Sequence, residues 1–303
     1  MRYVVLVALI GVSTLVSCEK EVDLKLESSG QTLVVEGGIE TGLPPVVQLT
    51  NSLSFFSRVD LAALENAFVH DAIVTVSDGN KTVRLKEYVI DTGGFRASYY
   101  SLVDFQNPVL PPLDSLILGE VGKQYLLTVE HGGKTYTAST IIPAFTVLDS
   151  LWSQAPPRQP DSLPTAREVY FRYRDPDTLN NCVRYFTSIN GSPFYPGAFT
   201  SVFIDEVING GVVSSRLFAG YDRSKEPPGR DSIGWFFKGD TVQLRWAAID
   251  RAAFDFWNSY EFALGSVGNP FASPTRLATN IRGGALGVWA GYGSQYHTLI
   301  IKD

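Results

Sequence analysis

The sequence predicts a mainly β protein built as two sandwich-like domains, the second carrying one short helix. Three observations point there. Side chains alternate with period two in many short runs, as where Tyr125, Leu127 and Val129 oppose Leu126, Thr128 and Glu130. Gly and Pro, 27 and 17 in number, punctuate those runs at hairpin-like intervals. The 303 residues are 45% hydrophobic and 18% charged, a globular composition long enough for two domains with their own cores. Lys and Arg number 25 against 31 Asp and Glu, so no basic excess exists to neutralise phosphates, and general nucleic-acid binding is disfavoured.

In chain order, the first domain is expected over residues 31–148. Leu33 to Gly38 and Val46 to Thr50 read as strands. Ala72 to Val76 runs into the turn Ser77-Asp78-Gly79-Asn80 and returns through Thr82 to Leu85, a hairpin signal. His131-Gly132-Gly133-Lys134 turns a second hairpin into Thr135 to Ala138. This layout resembles transthyretin-like or immunoglobulin-like modules, a fold analogy without functional content. Residues 149–165 hold Pro156, Pro157, Pro160 and Pro164, which stiffen the chain and remove donors, so a linker is expected there. The second domain, 166–303, opens with the alternating Val169 to Tyr173. Further strands are expected at Cys182 to Ile189, Ser201 to Val207, Val212 to Phe218, Ile233 to Phe237 and Thr241 to Ala247. One helix is expected, capped by Asp250, with Ala253, Trp257, Tyr260 and Leu264 on one face and Gly265 as its stop. A glycine-rich β tail, Asn280 to Tyr292, follows.

Residues 1–17 read as a secretory signal: Arg2 as n-region, an apolar run from Tyr3 to Val12, then small and polar residues. The run is shorter than the about 20 residues that span a bilayer. Leu15, Val16, Ser17 and Cys18 resemble the lipobox of bacterial lipoproteins, in which the Cys thiol is diacylated and the chain is cut before it. Acyl chains anchor because each buried CH2 contributes about 0.8 kcal/mol. Residues 18–30 then form the lipidated Cys and a tether. The acidic Glu19-Lys20-Glu21-Val22-Asp23 resembles the surface-export signal of Bacteroidota lipoproteins, and a plain solvated tether would look much the same. With Cys18 lipidated, Cys182 has no partner for an internal disulfide and reads as a buried, inert thiol.

Chemistry is sparse. His70, His131 and His297 are far apart and fit no HExxH or Cys-His pattern. Asp175 and Asp177, with Asn180 and Asn181, are weak metal candidates; the spacing suits a strand-connecting turn better than a calcium loop. Gly283-Gly284-Ala285-Leu286-Gly287 precedes β-prone Val288 and Trp289, which favours close strand packing over a phosphate loop. Phe194, Tyr195, Phe199 and Phe271 are candidate ligand or partner contacts, with core packing the favoured alternative. No catalytic constellation and no cofactor is implied.

Several short motifs occur in a family order: the lipobox, Leu33 to Gly37, Val47 to Thr50, Asp71 to Gly79, Gly122 to Leu127 and Tyr136 to Pro143. They continue with Tyr173 to Pro176, Phe254 to Trp257, Asn269 to Phe271 and Asn280 to Gly284. Together they resemble the Bacteroidota lipoproteins grouped as domain of unknown function 4249, over nearly all the chain after the signal. Cys182 departs from the pattern, where an aromatic residue is expected. The resemblance implies no established activity. Taken with the lipobox, the acidic tether and the lack of a catalytic constellation, it leads to the expectation of a non-enzymatic, lipid-anchored outer-membrane lipoprotein that faces the exterior; an accessory role to a TonB-dependent transporter, in ligand capture or gating, is what the resemblance alone implies. The alternatives are a stand-alone surface glycan- or peptide-binding lipoprotein and, less favoured, a hydrolase using paired carboxylates.

Overall fold

A computed structural model describes residues 31–53, 60–91, 94–145, 147–174, 181–205, 210–229, 231–267, 269 and 275–302. The alternation becomes strands in the first half: β1 Leu33–Glu40, β2 Val46–Asn51, β3 Ile73–Ser77, β4 Thr82–Arg84, β5 Lys86–Asp91, β6 Arg96–Ser101, β7 Gln124–His131 and β8 Lys134–Ile141. A five-residue helix α1, Leu61–Glu65, lies between β2 and β3. The second half holds β9 Leu148–Gln154, β10 Ala166–Arg174, β11 Cys182–Ile189, β12 Tyr195–Pro196, β13 Val202–Ile204, β14 Val212–Leu217, β15 Phe236–Phe237 and β16 Thr241–Ile249. Helix α2, Arg251–Gly265, and strand β17, Leu286–Ile300, close the chain.

The two hairpins expected from Gly turns are present. Val76 pairs with Val83 across β3–β4, and Val129 with Tyr136 across β7–β8. Gly132 and Gly133 take φ values of 57° and 73°, the positive pair that a two-residue hairpin turn requires. Strands β4-β3-β7-β8 form one four-stranded sheet, and β14-β10-β15, with β9 beside β10, form another. Both face a single nine-stranded sheet of order β12-β11-β16-β17-β1-β2-β6-β5, with β13 also on β11.

The long sheet is continuous because β17 changes partner midway. Leu286 to Tyr292 pair in parallel with Val34 to Glu40 of β1, and Gly293 to Ile300 pair antiparallel with β16. One strand therefore serves both sandwiches. Trp289, fully buried, fills the first core beside Val35, Val47, Tyr125 and Leu127, and its Nε1 donates to the Tyr125 carbonyl at 3.1 Å. The second core gathers around Trp246, whose ring centroid lies 4.9 Å from that of Phe171 and 5.7 Å from that of Tyr173. Glycine is needed where β17 passes close to other backbone. A Cβ at Gly287 would land on the Val35 carbonyl oxygen, and one at Gly291 on that of Ile141.

Residues 149–165, read as a linker, begin as strand: β9 pairs with β10 from Ser153↔Val169 to Ser150↔Arg172. The helix is capped as expected, Asp250 Oδ1 accepting from Ala253 N at 2.8 Å. Its packed face is Ala253, Phe254, Phe256 and Trp257, with Tyr260 partly buried. Leu264 is instead exposed, because the packed residues all lie in the first half of the helix; Phe262 is exposed beside it in the last turn. Gly265 is the last helical residue and does not take a positive φ. Among the described residues no helix is long and apolar enough to cross a membrane.

Replacing Trp289 by Ala removes a fully buried ring and a buried hydrogen bond. It is expected to cost about 3–5 kcal/mol of unfolding free energy in urea titration. A loss below about 1 kcal/mol would show that β17 does not tie the first core together.

Candidate functional site

Strand periodicity puts odd-numbered residues of β1 and β17 into the cores and even-numbered ones on the opposite face. That outer face carries Glu36 and Glu40 on β1, Tyr292 and Tyr296 on β17, Arg245 on β16, and Arg184 and Phe186 on β11. Helix α2 covers part of it, seating Ala253, Phe254 and Trp257 against Cys182, Ala247, Val288 and Ala290. Beside the helix the face opens into a groove of two adjoining lobes, each about 350 Å³, which share Glu36, Trp257 and Tyr292.

One lobe is cationic and aromatic, with Arg184, Arg223, Arg245, Phe186 and Tyr260 in its wall. Arg184 is 5% exposed, and its guanidinium lies 3.3 Å from the Trp257 ring centroid and 4.7 Å from that of Phe186. A buried guanidinium keeps its charge only where partners replace water. Here its Nε donates to Ser201 Oγ at 3.3 Å, and Glu261 accepts from both the hydroxyl and the backbone N–H of Ser201. Burial draws the Arg184 pKa down, while Tyr292, Glu261 and Glu36 oppose that fall. Arg245 lies over Phe186 at 4.5 Å, and its Nη2 pairs with Glu40 at 2.7 Å. The Tyr296 hydroxyl donates to Glu40 at 2.7 Å and stays protonated, its pKa pushed up to about 12 by burial and by that carboxylate.

The other lobe is apolar, lined by Val46, Ile90, Tyr99 and Phe105. Tyr99 stacks between Tyr88 and Phe105, with centroids 5.6 and 5.5 Å away. Glu36 stands where the lobes meet. Its side chain is reached from the groove, yet protein encloses it closely enough to raise its pKa, with Arg184 partly offsetting the rise.

The residues singled out from sequence fall in different places. Phe194 meets Tyr296 edge-on at 5.7 Å, beside the cationic lobe. Tyr195 is in β12, paired with Thr187, and the adjacent Pro196 lines that lobe. Phe199 is exposed and packs on Phe218, centroids 5.0 Å apart. Leu15, Val16, Ser17, Cys18, Asp175, Asp177 and Phe271 lie outside the described residues. The Cys182 thiol is buried and its pKa is pushed up to about 12, mainly by that burial, which makes it a poor nucleophile. The buried acids Glu168 and Asp205 each have a partner, Arg216 Nη1 at 2.7 Å and Asn181 Nδ2 at 2.9 Å. Among the described residues no three His, Cys, Asp or Glu side chains cluster to hold a metal.

The groove residues Glu36, Arg184, Arg245, Trp257 and Tyr292 were not nominated as a site from the sequence. A signal existed: Arg184 interrupts the apolar run Cys182-Val183-Arg184-Tyr185-Phe186, and Arg245 sits between Leu244 and Trp246. A charge on alternate positions of otherwise apolar strands marks a face that is not simple core.

The raised pKa of Glu36 makes its ionised form a cost to folding. That cost is present above the folded pKa and vanishes below the ordinary value of 4.5. Because solvent reaches the exposed Glu36 carboxyl and screens it, Glu36→Gln is expected to raise the melting temperature at neutral pH only slightly, with the gain shrinking as pH falls toward 4.5. A gain that grew on acidification would show the opposite shift.

A model of the family described as domain of unknown function DUF4249 matches residues 19–296. No curated protein matches the chain. The match spans both sandwiches and every residue of the groove, and the chain belongs to the DUF4249 family.

Proposed function

We propose that this chain is a lipid-anchored, non-enzymatic lipoprotein of the outer membrane that faces the cell exterior. In this reading it captures a ligand in the groove of its long sheet, as an accessory to a TonB-dependent transporter. The observation that carries the anchoring is Leu15-Val16-Ser17-Cys18, separated only by Ser13 and Thr14 from an apolar run too short to span. The capture role is supported by the groove's groups. Guanidinium groups held on ring faces, and a carboxylate reached from the groove, are suited to holding a ligand in a fixed orientation. The first strand begins at Leu33, so the residues between it and Cys18 reach at most about 50 Å when extended. That length lets the groove stand clear of a membrane surface without leaving it.

Two measurements test the proposal. Cys18→Ala is expected to move the protein from the membrane to the soluble fraction, and mass spectrometry of the native protein to find Cys18 acylated at a new N-terminus. Unchanged membrane retention of the variant sinks the anchor. Co-purification of a TonB-dependent barrel from native outer membrane is the expected sign of the accessory role; repeated isolation of the chain alone counts against it and favours stand-alone capture.

A further inference from the structure

We propose, resting on the reading of the groove as a capture site, that its ligand is a di- or tripeptide with free termini. Its C-terminal carboxylate would meet Arg223 and Arg245 in front of Arg184. Its ammonium would meet Glu36, and its first side chain would enter the lobe of Tyr99 and Phe105.

Four features carry this assignment. First, Arg223 and Arg245 retain donors. Arg184 bonds both Ser201 and Tyr292 and stands behind them as a buried charge, while Arg245 spends Nε on Ser294 at 3.3 Å and Nη2 on Glu40. Arg245 sits over the Phe186 ring at 4.5 Å, and a guanidinium beside a ring still has N–H groups that a carboxylate can accept from. Arg223 is exposed at the rim, and its contacts are two long ones, to the Gly197 and Ala198 carbonyls at 3.4 and 3.5 Å. Second, Glu36 lies between the cationic and apolar lobes and makes no hydrogen bond or ion pair within the described chain. A purely anionic ligand would bring its charge against this carboxylate, whereas an ammonium would satisfy it. Third, the next lobe is apolar and has room for a side chain, at about 350 Å³. Fourth, three of the groove's rings have little face left for a sugar, although Phe105 at the rim of the apolar lobe is exposed. Arg184 covers Trp257, Tyr99 lies between two rings, and Trp257, Tyr99 and Tyr292 are each less than a tenth exposed. Anion site, cation site and apolar lobe in that order match a short zwitterionic peptide.

The test is calorimetric titration of the full chain in detergent with leucyl-leucine and leucyl-phenylalanine. Beside them run the leucyl-leucine carboxamide, N-acetyl-leucyl-leucine, inorganic phosphate and maltohexaose. Saturable dipeptide binding is expected, weakened about tenfold or more by amidation or by acetylation, since each removes a charge-assisted contact. Arg223→Ala, at a rim position with little to lose in folding, is expected to weaken the dipeptide by about tenfold and to abolish the preference over the carboxamide. Glu36→Gln is expected to abolish the preference over the acetylated form. Failure of both dipeptides to bind, or equal affinity for free and blocked forms, overturns the assignment. Tighter binding of maltohexaose or phosphate, weakened by Trp257→Ala or Arg223→Ala respectively, also overturns it while leaving the groove as a capture site. The capture reading itself fails separately, if a ligand that co-purifies with the native chain is retained undiminished by Arg223→Ala and Trp257→Ala.

Discussion

Strand β17 is the constraint on which the rest of the structure depends. A single run of 15 residues supplies a central strand to both sandwiches, parallel to β1 at one end and antiparallel to β16 at the other. Such a strand is buried on both faces for much of its length, from Gly287 to Tyr292 and on to Gly293. Its small residues follow from that. Gly287 and Gly291 admit the Val35 and Ile141 carbonyls, and Ala290 and Val288 admit the helix. Because one strand joins the two halves, their outer faces form one surface running from β11 to β5. The groove exists only on that joined surface: Arg184 and Arg245 come from one half, Glu36 and Tyr99 from the other, and Tyr292 from the shared strand.

Helix α2 turns that surface into a site. Its cap, Asp250, works in two directions. Oδ1 accepts from Ala253 at the start of the helix, and Oδ2 accepts from the Thr140 hydroxyl at 2.5 Å and from Ile141 N at 3.3 Å, both on β8 of the first half. The Thr140 hydroxyl in turn accepts from Gly291 N at 2.8 Å. Helix, β8 and β17 are thereby fixed to one another by side-chain oxygens that also satisfy backbone donors. Trp257 is carried on the fixed helix, its Nε1 donating to the Tyr292 hydroxyl at 3.1 Å, and it offers a ring face to Arg184. Burying a guanidinium against a ring is tolerable because the ring is attractive to cations and the remaining donors find Ser201 and Tyr292.

Local features were legible in the sequence, and long-range ones were not. The Gly-turn hairpins at 73–84 and 124–141 and the Asp250 cap are set by neighbours a few residues apart, which is what periodicity and turn chemistry report. The pairing of β1 with β17 joins residues some 250 positions apart, and nothing in the local pattern of Leu33 to Gly38 names that partner. The same blindness affects 149–165. Its prolines suggested a linker, but they begin at Pro156, after β9 has already paired with β10. Strands β5 and β6 are hard to read locally because Glu87, Tyr88 and Ser98 to Ser101 do not alternate cleanly; Ser98, Tyr99, Tyr100 and Ser101 are all buried. The candidate aromatics Phe194 and Phe199 stand in a stretch of the sequence that reads as loop. The groove draws its aromatics from strands and the helix, where a ring reads as core until the facing arginines are placed.

The molecule is acidic overall, whereas in one lobe of the groove arginines outnumber carboxylates, and the difference bears on what such a surface could hold. The chain carries −6 overall, while one lobe gathers Arg184, Arg223 and Arg245. Fields from a dispersed acidic surface decay over about 8 Å at physiological salt, so they act weakly on an approaching anion and cannot guide it in. Contacts inside a walled groove are screened far less, because protein displaces the solvent around them. An anion therefore gains from the arginines only once it is seated, and only if the rest of it suits Glu36 and the apolar lobe. Recognition in such a site comes from fit at contact rather than from long-range attraction.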